Sequence, residues 1–286
     1  MSHTDLTTIE QLVGSFVDPN TGVPLSYTAG VAAVELNTSA ANVDTAVISL
    51  NLNYPINGVK ADIAEQLTAN ICREYPELSV VVNLTQVILA SANSSLKAVD
   101  NVKNIVAIAS GKGGVGKSTT AVNVALALAA EGARVGLLDA DIYGPSQPLM
   151  LGMPEDTRPE VKEQKFFLPI MAHGLQTMSM GYLVTEKTPM VWRGPMVSGA
   201  LTQMINQTVW HELDYLIVDM PPGTGDIQLT LSQQVPVSAS VIVTTPQEIA
   251  LLDAVKGIEM FAKVNIPCLG IIENMECLLW RTFLSL

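Results

Sequence analysis

The chain has 286 residues and a net charge of −12, from 15 basic against 27 acidic side chains, with an isoelectric point near 4.6 and a mean hydropathy of +0.34. That length allows one large domain and a small one, and 48% hydrophobic content suits parallel strands buried on both faces. The acidic balance argues against nucleic acid or an anionic membrane as partner. No apolar stretch approaches the ~20 residues of a membrane span, and Met1-Ser2-His3-Thr4-Asp5 lacks the regions of a signal peptide, so a cytoplasmic protein is expected.

The first 95 residues are rich in Thr, Asn, Ser and Val and carry no phosphate-loop or metal-ligand pattern. Ile9–Phe16 reads as a short amphipathic helix, and Asp18-Pro19-Asn20-Thr21-Gly22 as a turn. Val31–Leu36 and Val43–Leu52 read as strands, the second alternating Val47, Ser49, Asn51 against Ile48, Leu50, Leu52. Val59–Tyr75 reads as a helix with Ile63, Leu67 and Ile71 on one face, and Leu78–Leu89 as a strand. The sum is a small α+β domain over residues 1–95, followed by a polar linker over 96–103.

From residue 104 strands and helices alternate, the mark of a doubly wound, mainly parallel sheet. Strands are expected at Ile105–Ala109, Val135–Leu138, Leu175–Met180, Tyr215–Val218, Ser240–Thr244 and Cys268–Ile272. Helices are expected at Ser118–Glu131, Val197–Trp210, Asp226–Gln234 and Glu248–Val264. The stretch from Met150 to Pro169 reads as a flexible surface loop, and His173 and His211 as structural or exposed.

Chemistry concentrates at the strand ends. Gly111-Lys112-Gly113-Gly114-Val115-Gly116-Lys117-Ser118 fits the Gly-x4-Gly-Lys-Ser/Thr phosphate-loop pattern, between an apolar strand and a helix. Glycines let the backbone turn so that successive N–H groups converge on phosphate, with the helix dipole behind them. Lys117 supplies a point charge to the same phosphates and Ser118 a hydroxyl for Mg²⁺. The cradle is taken to extend to Thr119. Asp139 and Asp141, spaced i, i+2 at the end of a strand, fall on one face if the backbone stays extended. They suit a site with Mg²⁺ and a polarised water; the alternative is that one of them caps the next turn. Asp219 ends another apolar strand and has the character of a Walker-B acid, while Gly223 and Gly225 give the following loop freedom to respond to a γ-phosphate. Cys72, Cys268 and Cys277 stand apart, with no Cys-x-x-Cys pair; Cys72 and Cys268 read as small buried hydrophobes.

The 111–118 loop, with its extra Lys112, resembles the deviant Walker A of the MinD/ParA/nitrogenase-iron-protein class of ATPases. Asp139-Ala-Asp-Ile-Tyr-Gly-Pro-Ser146, Trp192-Arg-Gly-Pro-Met196, Asp219-Met-Pro-Pro-Gly-Thr-Gly-Asp226 and Thr244-Thr-Pro-Gln247 resemble one branch of it, the Mrp/ApbC iron–sulfur cluster carriers. The likeness runs from about Asn104 to Met275, and the N-terminal module resembles the small α+β domain of bacterial members. The resemblance implies a P-loop ATPase domain over 104–286, with ATP and Mg²⁺ as cofactors. In it Lys117 and the loop amides hold phosphates, Ser118 and Asp219 serve the metal, and Asp141 orients the attacking water. Lys112 reaches the nucleotide of the partner in a homodimer, and Asn274 hydrogen-bonds adenine.

The resemblance further implies a [4Fe–4S] cluster as cargo, bridged between subunits by a Cys-x-x-Cys pair from each, with apo iron–sulfur proteins and cluster-assembly factors as clients. Family members carry that pair after the position of Met275. Here Glu276-Cys277-Leu278-Leu279-Trp280-Arg281-Thr282-Phe283-Leu284-Ser285-Leu286 lacks it, which reads as a frameshifted or prematurely ended product. Two alternatives stand beside the carrier reading: a positioning ATPase of the partition type, working by ATP-gated dimerisation, and an inactive fragment.

Overall fold

The computed structural model describes residues 6–38, 44–91, 96–183 and 194–276. Trp192, Arg193, Cys277 and the 278–286 tail lie outside them, as do residues 92–95. The chain divides into two units, Met1–Leu89 with Ala130–Gly132, and Ala90–Ala129 with Ala133–Leu286.

The first unit contains α1 (Leu6–Ser15), α2 (Leu25–Thr28), β1 (Ala29–Thr38), β2 (Asp44–Leu52), α3 (Lys60–Glu74) and β3 (Ser79–Gln86). Its sheet runs β1-β2-β3, the first pair antiparallel and the second parallel, so α3 is the crossover of a βαβ unit. Period and burial agree. Ile48, Leu50 and Leu52 of β2 point inward, and Ile63, Leu67 and Ile71 of α3 are fully buried against them. The 18–22 turn closes on Asp18, whose carboxylate accepts from the Asn20 amide at 2.9 Å, the Thr21 hydroxyl at 3.1 Å and Tyr54 Oη at 2.5 Å.

The second unit contains β4 (Val102–Ala109), α4 (Lys117–Ala130), β5 (Val135–Asp139), α5 (Gln147–Met150), β6 (Val161–Lys162), β7 (Phe166–Phe167), β8 (Ile170–Ala172) and β9 (Leu175–Ser179). It continues with α6 (Gly194–Gln207), β10 (Leu213–Asp219), α7 (Asp226–Gln234), β11 (Ala239–Thr244), α8 (Glu248–Lys263) and β12 (Cys268–Glu273). Among the described residues its main sheet has seven strands in the order β12-β11-β4-β10-β5-β9-β8, all parallel except β8. Every residue of β5 and β9 is buried, as expected of strands covered on both faces. β12 closes the order on one side, and its Leu269 and Ile271 are exposed.

Three differences from the sequence expectation are informative. Val102 and Lys103, read as linker, already belong to β4 and pair beside β10. The Met150–Pro169 stretch contains the β6–β7 hairpin, whose turn residues Glu163 and Gln164 have φ of 54° and 56°. No glycine or asparagine advertises that turn, so sequence had no signal for it. β8 was also missed; it joins β9 through His173 and Gly174, both at positive φ, in the two-residue turn that matches strand twist.

β4 lies between β10 and β11, with β5 beyond β10. The chain therefore leaves β4 toward one side of the sheet and later returns on the other. Such a reversal opens a crevice beyond the carboxyl ends of the strands, and the glycine-rich loop sits at that end of β4.

Candidate functional site

The loop between β4 and α4 needs its glycines for two distinct reasons. Gly114 and Gly116 have φ of +79° and +84°, the left-handed region that other residues rarely enter. Gly111 is crowded: a Cβ there would lie 2.3 Å from the backbone oxygen of Asp253 in α8, whereas a Cβ on Gly113 or Gly114 would meet nothing within 4 Å. The loop is thus pressed against α8 at its start and open where a ligand would approach. Gly111→Ala should cost about 1–3 kcal/mol, because the obstruction is main chain and no rotamer relieves it. Its thermal midpoint should fall; an unchanged midpoint would contradict the close approach.

Behind the loop lies a buried polar knot. Lys117, 6% exposed, extends its ammonium to Asp219 Oδ1, and Asp219 is fully buried at the end of β10. The same ammonium lies 3.3 Å from Ser118 Oγ. The side-chain amide of Gln147, 2% exposed, donates to Asp219 Oδ2 and to the Ser118 carbonyl, each at 2.9 Å. Register explains the convergence, since Asp219 pairs with Ile108 of β4 on one side and with Asp139 of β5 on the other.

Asp139 and Asp141 do not share one task. Asp139 is fully buried, and its oxygens accept from the backbone amides of Asp141 at 3.1 Å, Ser146 at 2.9 Å and Gln147 at 3.0 Å, and from Ser179 Oγ at 3.1 Å. It locks the 140–147 turn, which corrects the expectation of two carboxylates on one metal-facing side. β5 ends at Asp139, so the extended backbone that would align i and i+2 stops there. Burial, with the negative charge of Asp219 nearby, pushes the Asp139 carboxyl up to about 7, against the donors from Gln147, Asp141 and Ser179. Asp141 is half-buried; burial raises it, Lys117 opposes this, Asp219 adds to it, and backbone donors from Gly144 and Tyr143 lower it.

The remaining predicted residues fall around this knot. Gly223, φ +96°, donates its amide to the Ser110 carbonyl at 3.0 Å, while Ser110 Oγ donates to the Lys112 carbonyl at 2.9 Å. The 220–225 loop is thereby tied to the glycine-rich loop through a serine that carried no sequence signal. The Gln228 side chain, from α7, holds the Pro221 carbonyl. The amide nitrogen of Asn274 donates to the Val115 carbonyl at 2.9 Å, and its backbone N–H to Thr244 at 2.8 Å. Lys112 is partly exposed, and no ion pair to it is found among the described residues. Thr119 is exposed on the first turn of α4.

Gln147 was missed altogether. A glutamine eight residues beyond Asp139 belongs to no pattern that a sequence reading weighs.

Ser118 Oγ and the Asp219 carboxylate offer oxygen donors, the chemistry that a hard divalent cation takes, so the residues present fit Mg²⁺. Thiolates are a different matter. Cys72 and Cys268 are half-buried and belong to separate units, and no group of three metal-ligating side chains occurs among the described residues. No helix among them is long and apolar enough to cross a membrane.

Comparison with known proteins agrees with this geometry. Residues 101–282 match the family model of the NUBPL iron-transfer P-loop NTPases, within the ParA group. The iron-sulfur cluster carrier protein of Pseudomonas fragi is 70% identical over 184 residues, which cover 64% of this chain and 64% of the relative. That of Escherichia coli K12 is 55% identical over 239 residues, 82% of this chain and 63% of the relative. The chain thus spans somewhat under two thirds of the length of these curated relatives. Among solved structures, a nucleotide-binding protein from Archaeoglobus fulgidus in complex with ADP aligns with a TM-score of 0.54 at 37% identity, covering 62% of this chain and 68% of that one. With the family model matching more than half of the chain over the segment that forms the sheet and its loop, this protein belongs to the iron-transfer P-loop NTPases.

Proposed function

We propose that the chain binds and hydrolyses ATP with Mg²⁺, and that this nucleotide cycle serves the carriage of [4Fe–4S] clusters to apo-proteins. The observation that carries the nucleotide reading is the Lys117 ammonium, buried on Asp219 beneath a glycine loop at the switch point of the sheet. Such a lysine is held ready and discharged onto a polyanion when one enters.

In this reading the amides from Gly111 to Thr119 cradle phosphates, Val115 among them, and Lys117 transfers its charge from Asp219 to the β- and γ-phosphates. Ser118 and Asp219 hold the Mg²⁺, which when bound neutralises charge on the phosphates. Asp141, beyond the strand end and still partly open to solvent, orients the attacking water. Lys112 is free to reach the nucleotide of a second copy in a homodimer. Asn274, whose amide nitrogen rests on the Val115 carbonyl of the loop, is taken to hydrogen-bond the adenine. The relatives are iron-sulfur cluster carrier proteins, which supports clusters as cargo; apo iron–sulfur proteins and cluster-assembly factors are the clients such a cargo would serve. A net charge of −12 favours protein partners over nucleic acid or membrane. The described residues carry the nucleotide half of this work, since their two cysteines form no pair.

The test has two arms. Purified chain should bind and hydrolyse ATP in a saturable, Mg²⁺-dependent manner, and no saturable binding would sink the nucleotide reading. Anaerobic reconstitution with iron and sulfide, read by labile iron and the visible charge-transfer absorption, addresses the cargo. Iron no higher than background would remove cluster binding from this chain.

A further inference from the structure

Beside Ser118 and Asp219 lies a polar atom for which the described residues supply no partner. Both N–H groups of the Gln147 amide are used, one on the Ser118 carbonyl and one on Asp219 Oδ2. The amide orientation follows, because turning it over would set its oxygen against two acceptors. Gln147 Oε1 is then buried without a hydrogen-bond partner among the described residues, as is Ser146 Oγ one residue earlier. The main chain here has little freedom, since the amides of Ser146 and Gln147 both donate to Asp139 Oδ2. A buried acceptor held this firmly, next to the two oxygen donors of a divalent cation, calls for a ligand that can donate to it.

We propose that Gln147 is a positioning residue of the metal–nucleotide site. Its amide nitrogen braces Asp219 against the first turn of α4, and its Oε1 accepts a hydrogen bond from water carried by the divalent cation. This rests on the nucleotide reading given above. A purely structural glutamine would need only its two donors. The acceptor is what a cation's water requires, and an apolar side chain of the same length lacks it.

The test is the metal dependence of ADP binding by the whole chain, measured calorimetrically in EDTA and in saturating Mg²⁺, with Mn²⁺ titrated into the ADP complex and followed by EPR. In Gln147→Met, ADP affinity in EDTA should stay close to that of the unaltered chain. The Mg²⁺ enhancement and the Mn²⁺ affinity should fall roughly tenfold, the worth of one charge-assisted hydrogen bond. Gln147→Lys keeps a donor for Asp219 and the Ser118 carbonyl but carries no acceptor, so it should lose both as Gln147→Met does, and it carries the test by itself if the methionine variant does not fold. Full enhancement in Gln147→Met or in Gln147→Lys overturns the assignment. If the unaltered chain binds ADP with strong Mg²⁺ enhancement and Gln147→Met leaves it intact, only the glutamine's role falls. If the unaltered chain shows no metal-dependent ADP binding, the nucleotide reading falls and takes this one with it.

Discussion

Lys117→Ala is expected to abolish the ATP hydrolysis proposed for this chain and also to destabilise the sheet domain, two losses with separable causes. The catalytic loss would follow from removing the point charge proposed to meet the phosphates, and it should be on the order of 10³-fold or more. The stability loss follows from burial. Asp219 is fully buried, and Lys117 is the cation on it. Deleting one partner of such a pair leaves an uncompensated charge, worth about 3–5 kcal/mol, or roughly 10 °C in thermal midpoint for a unit of this size. The double variant Lys117→Ala, Asp219→Asn removes the stranded charge. It should recover most of the midpoint and none of the hydrolysis. If the double variant stays as unstable as the single one, the lysine supports the fold by packing alone and the charge argument is wrong.

Thermal stability will fall as pH rises from 5 to 8. The cause is Asp139. Its folded value of about 7 stands above the 3.8 expected in the unfolded chain, so across this window the folded state holds a proton that the unfolded state has released. Stability from such a group is fully present below the unfolded value and is lost as pH climbs through the folded one. The whole shift corresponds to something on the order of 4 kcal/mol, of which roughly 2–3 kcal/mol should disappear between pH 5 and 8. Asp141, raised by burial, acts in the same sense. Asp18 and Asp214 act elsewhere: burial would raise them, but hydrogen bonds from Tyr54, and from Arg134 and Lys103, hold them below 3.8. Their contribution is lost only on further acidification. Asp139→Asn should flatten the slope from pH 5 to 8, measured as midpoint against pH; an identical slope in that variant would show that another group titrates there.

Much of this molecule was legible along the chain. Helical spacing of Ile63, Leu67 and Ile71 and the alternation of Ile48, Leu50 and Leu52 marked the faces that are buried, because side-chain direction repeats within a single element. The glycine-rich loop was legible because its conformation is largely local: Gly114 and Gly116 both take the left-handed φ that glycine enters readily. Asp219 was recognisable as a carboxylate ending an apolar strand. The hairpin turn at Glu163 and Gln164 was not legible, since nothing in those residue types favours a left-handed backbone.

The division of labour between Asp139 and Asp141 also lay beyond sequence. Both carboxylates follow the same strand, yet what each meets depends on the path of residues 140–147 and on Ser179, forty residues away. The contacts of Gln147 with Ser118 and Asp219 span 29 and 72 positions. Sequence by itself determined the fold class, the phosphate loop and the residue types that can serve it, because hydrophobic period, glycine conformation and flanking strand and helix are properties of short segments. Only the tertiary structure decided which carboxylate is sealed inside, where the Lys117 charge rests, and which neutral amide stands beside it. Those outcomes follow from strand order and register, which place β5, β4 and β10 edge to edge and turn distant strand ends into neighbours.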